Sequence, residues 1–346
     1  MRRAPLRASL LRALPAFDRL VLLGDVLELR QGPLRDALAV AEVVLREIGG
    51  ALGPGREVVI VPGNHDHHLL EGWLARRARG GPPSPLGAET PVDWHGEDVL
   101  ATIAGWLAPA GVRAAYPGVW LRDDVYATHG HYLDRHTTVP MFERLAAGAM
   151  ARIVREPSGG PRCAEDYEAT LAPIYTWAHA LAQTGGHDFA RGSQRVSGTA
   201  WQALTGARRG ASPRARAMIA VFPAAVAACN RAGLGPLRAD ISRAQLRRAG
   251  LRAFGEVLVR LGVGARYAIF GHTHRAGPVG YDDRAEWIAP TGAHLLNTGC
   301  WLHEPVFLGD DPSRSPYRPG FGVVMERGAA PALINLLDDI DPSGQG

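Results

Sequence analysis

Four short apolar runs, each closed by a polar cluster able to ligate a metal, constrain this chain more than any other feature of its sequence. Leu20 to Leu23 leads into Gly24-Asp25-Val26-Leu27-Glu28, and Glu57 to Val61 leads, after Pro62, into Gly63-Asn64-His65-Asp66. Val125 to Ala127 leads into Thr128-His129-Gly130-His131, and Tyr267 to Phe270 into Gly271-His272-Thr273-His274. Nearly continuous apolar runs of this length predict strands covered on both faces, as in parallel or mixed sheets flanked by helices. In such sheets, side chains at strand ends gather in one crevice although they are far apart in sequence. Mixed nitrogen and oxygen donors suit manganese, iron, zinc or nickel.

Further runs at His294 to Leu296, Phe321 to Met325 and Ala332 to Leu337 predict more strands, antiparallel because their connections are short. Helical patterns cover Pro33 to Ile48 and Leu69 to Arg79, then recur at Met141 to Val154, Tyr167 to Ala182, Pro213 to Ala228 and Ile241 to Leu261. The expected organisation is one α/β domain in two parts, 1–133 and 262–346, interrupted by a helical insertion or cap at 134–261. At the start, Leu6, Leu10, Leu14 and Phe17 lie at helical spacing, so the Arg-rich, acid-free opening reads as an amphipathic helix rather than an organellar presequence.

With 346 residues the chain is long enough for one large domain carrying an insertion. All 38 basic residues are Arg, set against 34 acidic ones, and a surplus of +4 spread over the chain is too dispersed for a nucleic-acid-binding stripe. The three cysteines, Cys163, Cys229 and Cys300, are far apart and suggest neither a disulfide framework nor a zinc knuckle. A cytoplasmic setting follows as the expectation. No apolar run reaches the ~18 to 20 residues that span a bilayer.

The four clusters, in this order and each after a strand, resemble the calcineurin-like metallophosphoesterase superfamily; Leu296-Asn297-Thr298-Gly299-Cys300 is similar to its later Asn-x-Gly segment. The resemblance implies an α/β fold, an α/β/β/α sandwich of mixed sheets with a large helical insertion. It also implies two divalent metal ions, manganese foremost, and a bridging hydroxide that attacks phosphorus in line with the leaving group. Carried over by motif, Asp25 bridges the ions, Asn64, His129 and His272 complete one site, and His274 belongs to the other. His65 is then the acid that protonates the leaving oxygen and Asp66 the carboxylate that orients it, with His131 and Glu28 near the site. Glu28 completes a Gly-Asp-x-x-Glu pattern shared with the branch that cleaves the pyrophosphate of UDP-diacylglucosamine, although that branch has Arg where this chain has His65. Trp177 and Trp201 in the insertion are read mainly as packing residues, and secondarily as acceptors of an acyl chain. His95, His179, His187, His294 and His303 carry no motif.

The family's first motif, Asp-x-His at the end of a preceding strand, has no counterpart. Three explanations stand: a true start upstream by roughly ten to twenty residues, a real truncation with an impaired site, or replacement by His67 or His68. The first is preferred because the other motifs are intact. The expected activity is hydrolysis of a phosphomonoester, phosphodiester or pyrophosphate in a phosphorylated small molecule or nucleotide-type substrate. The alternatives are a phosphoesterase-fold scaffold that does not turn over and a hydrolase of the UDP-diacylglucosamine type.

Overall fold

Val, Ile and Leu dominate the two strands that start the sheet, β1 (Arg19–Leu23) and β2 (Glu57–Val61), which pair in parallel. This computed structural model describes residues 4–79, 83–184, 213–240, 242–303, 305–309 and 311–338. Helix α1 (Ala4–Ala13) precedes β1 and buries Leu10, with Leu14 just beyond it, so the amphipathic reading of the opening holds. Helix α2 (Leu34–Leu52) crosses from β1 to β2 and buries Leu45, Ile48 and Leu52 at helical spacing. After β2 come a 3-10 turn (His67–Leu70), α3 (Glu71–Arg79), β3 (Glu89–Val92) and α4 (Val99–Trp106).

The strand that organises the sheet is β4 (Gly111–Arg122). Its first part pairs in parallel with β2, Ile60 opposite Ala114, and antiparallel with β3. Its last part pairs antiparallel with β5 (Val125–Thr128), Thr128 opposite Gly118. Then β6 (Tyr267–Phe270) runs parallel to β5, and β8 (His294–Thr298) parallel to β6, with the two-residue β7 (Ala276–Gly277) antiparallel at the edge. The order is β1-β2-β4-β5-β6-β8-β7, a mixed sheet of eight strands including β3, and β9 (Phe321–Val324) with β10 (Ala332–Asn335) forms a separate antiparallel pair. The antiparallel expectation therefore holds for β9 and β10 but fails for β8 against β6. The chain between those two is long enough to cross back to the starting edge before β8 begins.

This register has a direct consequence for the site. β2 runs toward the middle of β4 from one end, and β5 runs toward the same middle from the other, so their carboxyl ends meet near Ala114 to Gly118. The sheet curls there. Alternate residues Val59 and Val61 of β2, Val119 of β4, Val125 and Ala127 of β5, Ile269 of β6 and Leu296 of β8 form one cluster on the inner face. The opposite faces of the same strands, through Val58, Ile60, Tyr126, Phe270 and Leu295, join the larger helix-covered core. Each such side chain contributes about 1.5 to 3 kcal/mol by leaving water.

Between β5 and β6 come α5 (Phe142–Ile153), α6 (Ala164–Gln183), α7 (Pro213–Arg231) and α8 (Arg243–Arg260). Tyr167, Leu171, Ile174 and Tyr175 of α6, and Phe254, Val257 and Leu258 of α8, belong to the same core cluster as the sheet. A short α9 (Pro305–Leu308) precedes β9. Trp201 and His187 lie outside the described residues, and Trp177 is exposed. Among the described residues no helix is long and apolar enough to cross a membrane.

Candidate metal centre

Asp25 follows β1, Asn64 and His65 follow β2, His129 and His131 follow β5, and His272 and His274 follow β6. One ligand atom each from Asp25, His129 and His272 lie within 4.8 Å of one another. The local backbone is bent to achieve this. Asp25, His272 and His274 adopt positive φ of 52°, 62° and 59°, three of the four non-glycine residues in that region among those described. Such conformations cost of order 1–3 kcal/mol each and persist where the surroundings over-determine them. Gly24 and Gly63 make room: a Cβ on Gly24 would lie 2.2 Å from His129 Nδ1, and one on Gly63 would lie 2.4 Å from Asp25 Oδ1.

The hydrogen bonds of His129 define what the cluster lacks. Nδ1 is 3.0 Å from the Leu23 carbonyl, which can only accept, so Nδ1 carries the proton. Nε2 then faces Asp25 Oδ2 at 3.1 Å and Asn64 Oδ1 at 3.2 Å. In a neutral ring, three lone-pair atoms would converge with nothing positive between them. Burial disfavours the charged ring, but Asp25 outweighs it and lifts the His129 pKa to about 9. For Asp25, burial raises the pKa, and His129, His65 and His272 together hold it well below the usual carboxylate range. A divalent cation satisfies the same arrangement without the extra proton. The other imidazole, His272, has Nε2 2.9 Å from Asp134 Oδ1, which leaves Nδ1 as its unengaged nitrogen. A carboxylate behind a ligating His fixes the tautomer and the ring plane. Asp134 was not among the sequence candidates; its place five residues after His129 was the only signal.

The donor set fits a metal: a carboxylate oxygen, an amide oxygen and two imidazole nitrogens, each ring held by a second partner. Among the described residues one such His/Asp group forms. His274 is close enough to Asp25, His272, His65 and His129 to feel their charges, and burial first of all pushes its pKa down to about 4. The proposed substitutes for the missing motif are committed elsewhere: His67 Nε2 is 2.9 Å from Glu168 and His68 Nδ1 is 2.6 Å from Glu71.

The expected role of Asp66 needs correction. Its carboxylate does not touch the His65 ring. It is fully buried and accepts backbone N–H groups from Gly63 at 2.6 Å, Val26 at 2.8 Å, Asp25 at 3.2 Å and Leu27 at 3.4 Å. Asp66 therefore ties the β1 and β2 loops together. Its pKa is raised, by burial and by Asp25, with the backbone donors opposing. Glu28 takes the orienting place instead, with Oε2 2.7 Å from His65 Nδ1. Burial lowers the His65 pKa, but Asp25 and Glu28 outweigh it and the net shift is upward, with Arg30 opposing. The His65 amide also donates to Asp25 Oδ1 at 2.9 Å.

His131 lies beside the cluster, its ring centroid 5.6 Å from that of His129. Tyr116 spends its single proton on Glu168 Oε1 at 2.5 Å, so at 3.0 Å it accepts from His131 Nε2. His131 Nδ1 is then a buried lone pair without a partner. Asn297 donates to the Gly271 carbonyl at 3.0 Å and to Thr273 Oγ1 at 2.9 Å, tethering the loop that carries His272 and His274. No family model, no curated protein and no solved structure matches this chain.

Proposed function

We propose that this chain is a metal-dependent phosphoesterase of the calcineurin-like type, in the α/β/β/α sandwich arrangement and in the cytoplasm, acting on a phosphorylated small molecule or nucleotide-type substrate. The observation that carries the reading is the meeting of Asp25, His129 and His272 from three strand ends within 4.8 Å. A divalent ion held there supplies Lewis-acid polarisation of a phosphoryl oxygen and activation of water. The chain's own residues supply the rest. Leu23 and Asp134 lock the two imidazoles in the tautomers that present His129 Nε2 and His272 Nδ1 inward. His65, with Nδ1 held by Glu28, keeps Nε2 available to deliver a proton to the leaving oxygen. Burial opposes the charged ring, but Asp25 and Glu28 outweigh it, which favours that proton being held.

Manganese-supplemented assays with chromogenic monoester and diester substrates test this reading. Asp25→Asn and His65→Ala are each expected to lower kcat by about 100-fold or more; a wild-type rate at background, or variants at wild-type rates, would overturn it. A scaffold that binds metal without turnover is the second reading, favoured by the one ligand group, rather than two, found among the described residues. Bound manganese with no hydrolysis of any ester class would select it.

A further inference from the structure

Among the described residues the buried guanidinium groups of Arg76, Arg135, Arg144 and Arg275 are each hydrogen-bonded on at least one nitrogen, although Arg76 Nε and Arg144 Nη1 have no partner. Arg144, 1% exposed, donates to the Thr137 and Gly235 carbonyls at 2.9 and 3.0 Å. Arg275, 7% exposed, makes two bonds to Asp282, at 3.0 and 2.6 Å. Arg135 forks onto Glu156. The Arg30 side chain is only 13% exposed, yet its guanidinium makes no hydrogen bond among the described residues; its nearest carboxylate, Glu143, is 3.8 Å away. Arg30 Nη1 is sealed from water without a partner. Leaving a buried charged donor unpaired costs of order 1–3 kcal/mol or more, so the native fold gains nothing from this cation in isolation.

Its surroundings explain what it is for. The Arg30 backbone N–H donates to Glu28 Oε1 at 3.0 Å, and Glu28 Oε2 lies 2.7 Å from His65 Nδ1, so Arg30 belongs to the loop that holds the His65 ring. Tyr175, on α6 and 3% exposed, has a buried hydroxyl that is likewise unpaired. Below it lies His131, ring centroids 5.7 Å apart, and two more unpaired buried atoms, His131 Nδ1 and Asp134 Oδ2, flank the centre. The loop bearing Arg30 is fixed to α6: His179 Nδ1 donates to the Leu29 carbonyl at 2.9 Å, Gln183 Nε2 donates to the Gly32 carbonyl at 3.2 Å, and Gln183 Oε1 accepts from Leu34 at 2.8 Å. The loop of Arg30 and the helix of Tyr175 are thus fixed to each other before any ligand arrives.

Resting on the phosphoesterase reading, we propose that Arg30 and Tyr175 bind the non-reacting anionic oxygens of the substrate phosphoryl group, so that α6 supplies one wall of the substrate site. A planar guanidinium matches two phosphoryl oxygens at once, which an ammonium does not. The test is calorimetric titration of inorganic phosphate into manganese-loaded wild type, Arg30→Ala, Arg30→Gln, Arg30→Lys and Tyr175→Phe proteins. Manganese content and melting temperature are measured alongside, and KM and kcat wherever an ester is turned over. Phosphate affinity is expected to fall about tenfold or more in Arg30→Ala and Arg30→Gln, the worth of one charged hydrogen bond, and to be only partly restored in Arg30→Lys. Tyr175→Phe should lose less. Manganese content should be unchanged and the melting temperature equal or higher, since the variants remove an unsatisfied charge; a purely structural arginine would lower it. Phosphate affinity within twofold of wild type in Arg30→Ala, or no phosphate binding by wild type, would overturn the inference. Phosphate binding that depends on Arg30 with no ester hydrolysis would instead defeat the catalytic reading and leave this one standing.

Discussion

Replacing Asp66 by Asn separates a structural carboxylate from a catalytic one, and the hydrogen bonds fix the size of the effect. Oδ1 accepts from Gly63 and Asp25, and Oδ2 from Val26 and Leu27. Asn offers one carbonyl oxygen, so in either flip two backbone N–H groups face an NH2 group inside a fully buried pocket. Leaving a buried donor unmet costs about 1–3 kcal/mol; one pair contains the short 2.6 Å bond and the other the 2.8 Å bond, so each flip forfeits one strong and one weak partner. Relief of burying a carboxylate next to Asp25 offsets part of this. The expected loss is about 2–4 kcal/mol of unfolding free energy, read by urea denaturation of the metal-free protein. Because the same bonds place the backbone of Asp25 and Gly63, manganese affinity should fall as well. If Asp66→Asn were as stable as wild type within about 0.5 kcal/mol and changed only the pH dependence of turnover, Asp66 would be orienting a catalytic group and the assignment to Glu28 would be wrong.

Other outcomes follow from neighbouring geometry. Gly63→Ala, whose Cβ would sit 2.4 Å from Asp25 Oδ1 and 2.7 Å from His129 Cδ2, should weaken manganese binding about tenfold or more in calorimetry while far-ultraviolet circular dichroism is unchanged. Glu28→Gln removes a charge that raises the His65 pKa, so the alkaline limb of the pH–rate profile, where the acid loses its proton, should move to lower pH; an unmoved limb would exclude His65 as that acid. Burial, with Arg260, Arg135 and Arg144 nearby, pushes the His136 pKa from 6.5 down to about 3. The unfolded chain therefore binds the extra proton, and this contribution is complete above pH 6.5 and is lost as pH falls toward 3. At pH 5 the loss is up to about 2 kcal/mol, and His136→Gln should flatten that part of the stability profile.

The strands that lead into the polar clusters were legible because each is an apolar run ending in polar residues, and three of those ends bring Asp25, His129 and His272 together. What brings those ends together was not legible. β4 reads Gly-Val-Arg-Ala-Ala-Tyr-Pro-Gly-Val-Trp-Leu-Arg, which has no sustained apolar run, and its extended form comes from partners on both sides. Its register is nevertheless what makes β2 and β5 point at a common centre. Within the site, the family resemblance implied that Asp66 orients His65, but neighbours in a tight turn point to opposite sides. Glu28, 37 residues away, makes that contact, and Asp66 turns back onto the backbone of the β1 loop. Arg30, Asp134 and Glu168 carry no motif; their roles depend on α6 and on the turn after β5, where sequence spacing carries no distance information.

The central claim is that Asp25, His129 and His272 hold a divalent ion. Crystals of the protein grown with manganese, with anomalous diffraction recorded at wavelengths above and below the manganese edge, test it most directly. The account expects an edge-dependent peak in contact with Asp25 Oδ2, His129 Nε2 and His272 Nδ1, with Asn64 Oδ1 adjoining, and its loss in Asp25→Asn crystals. Fully loaded crystals with no peak among these atoms, or with manganese bound elsewhere and unaffected by Asp25→Asn, would contradict it.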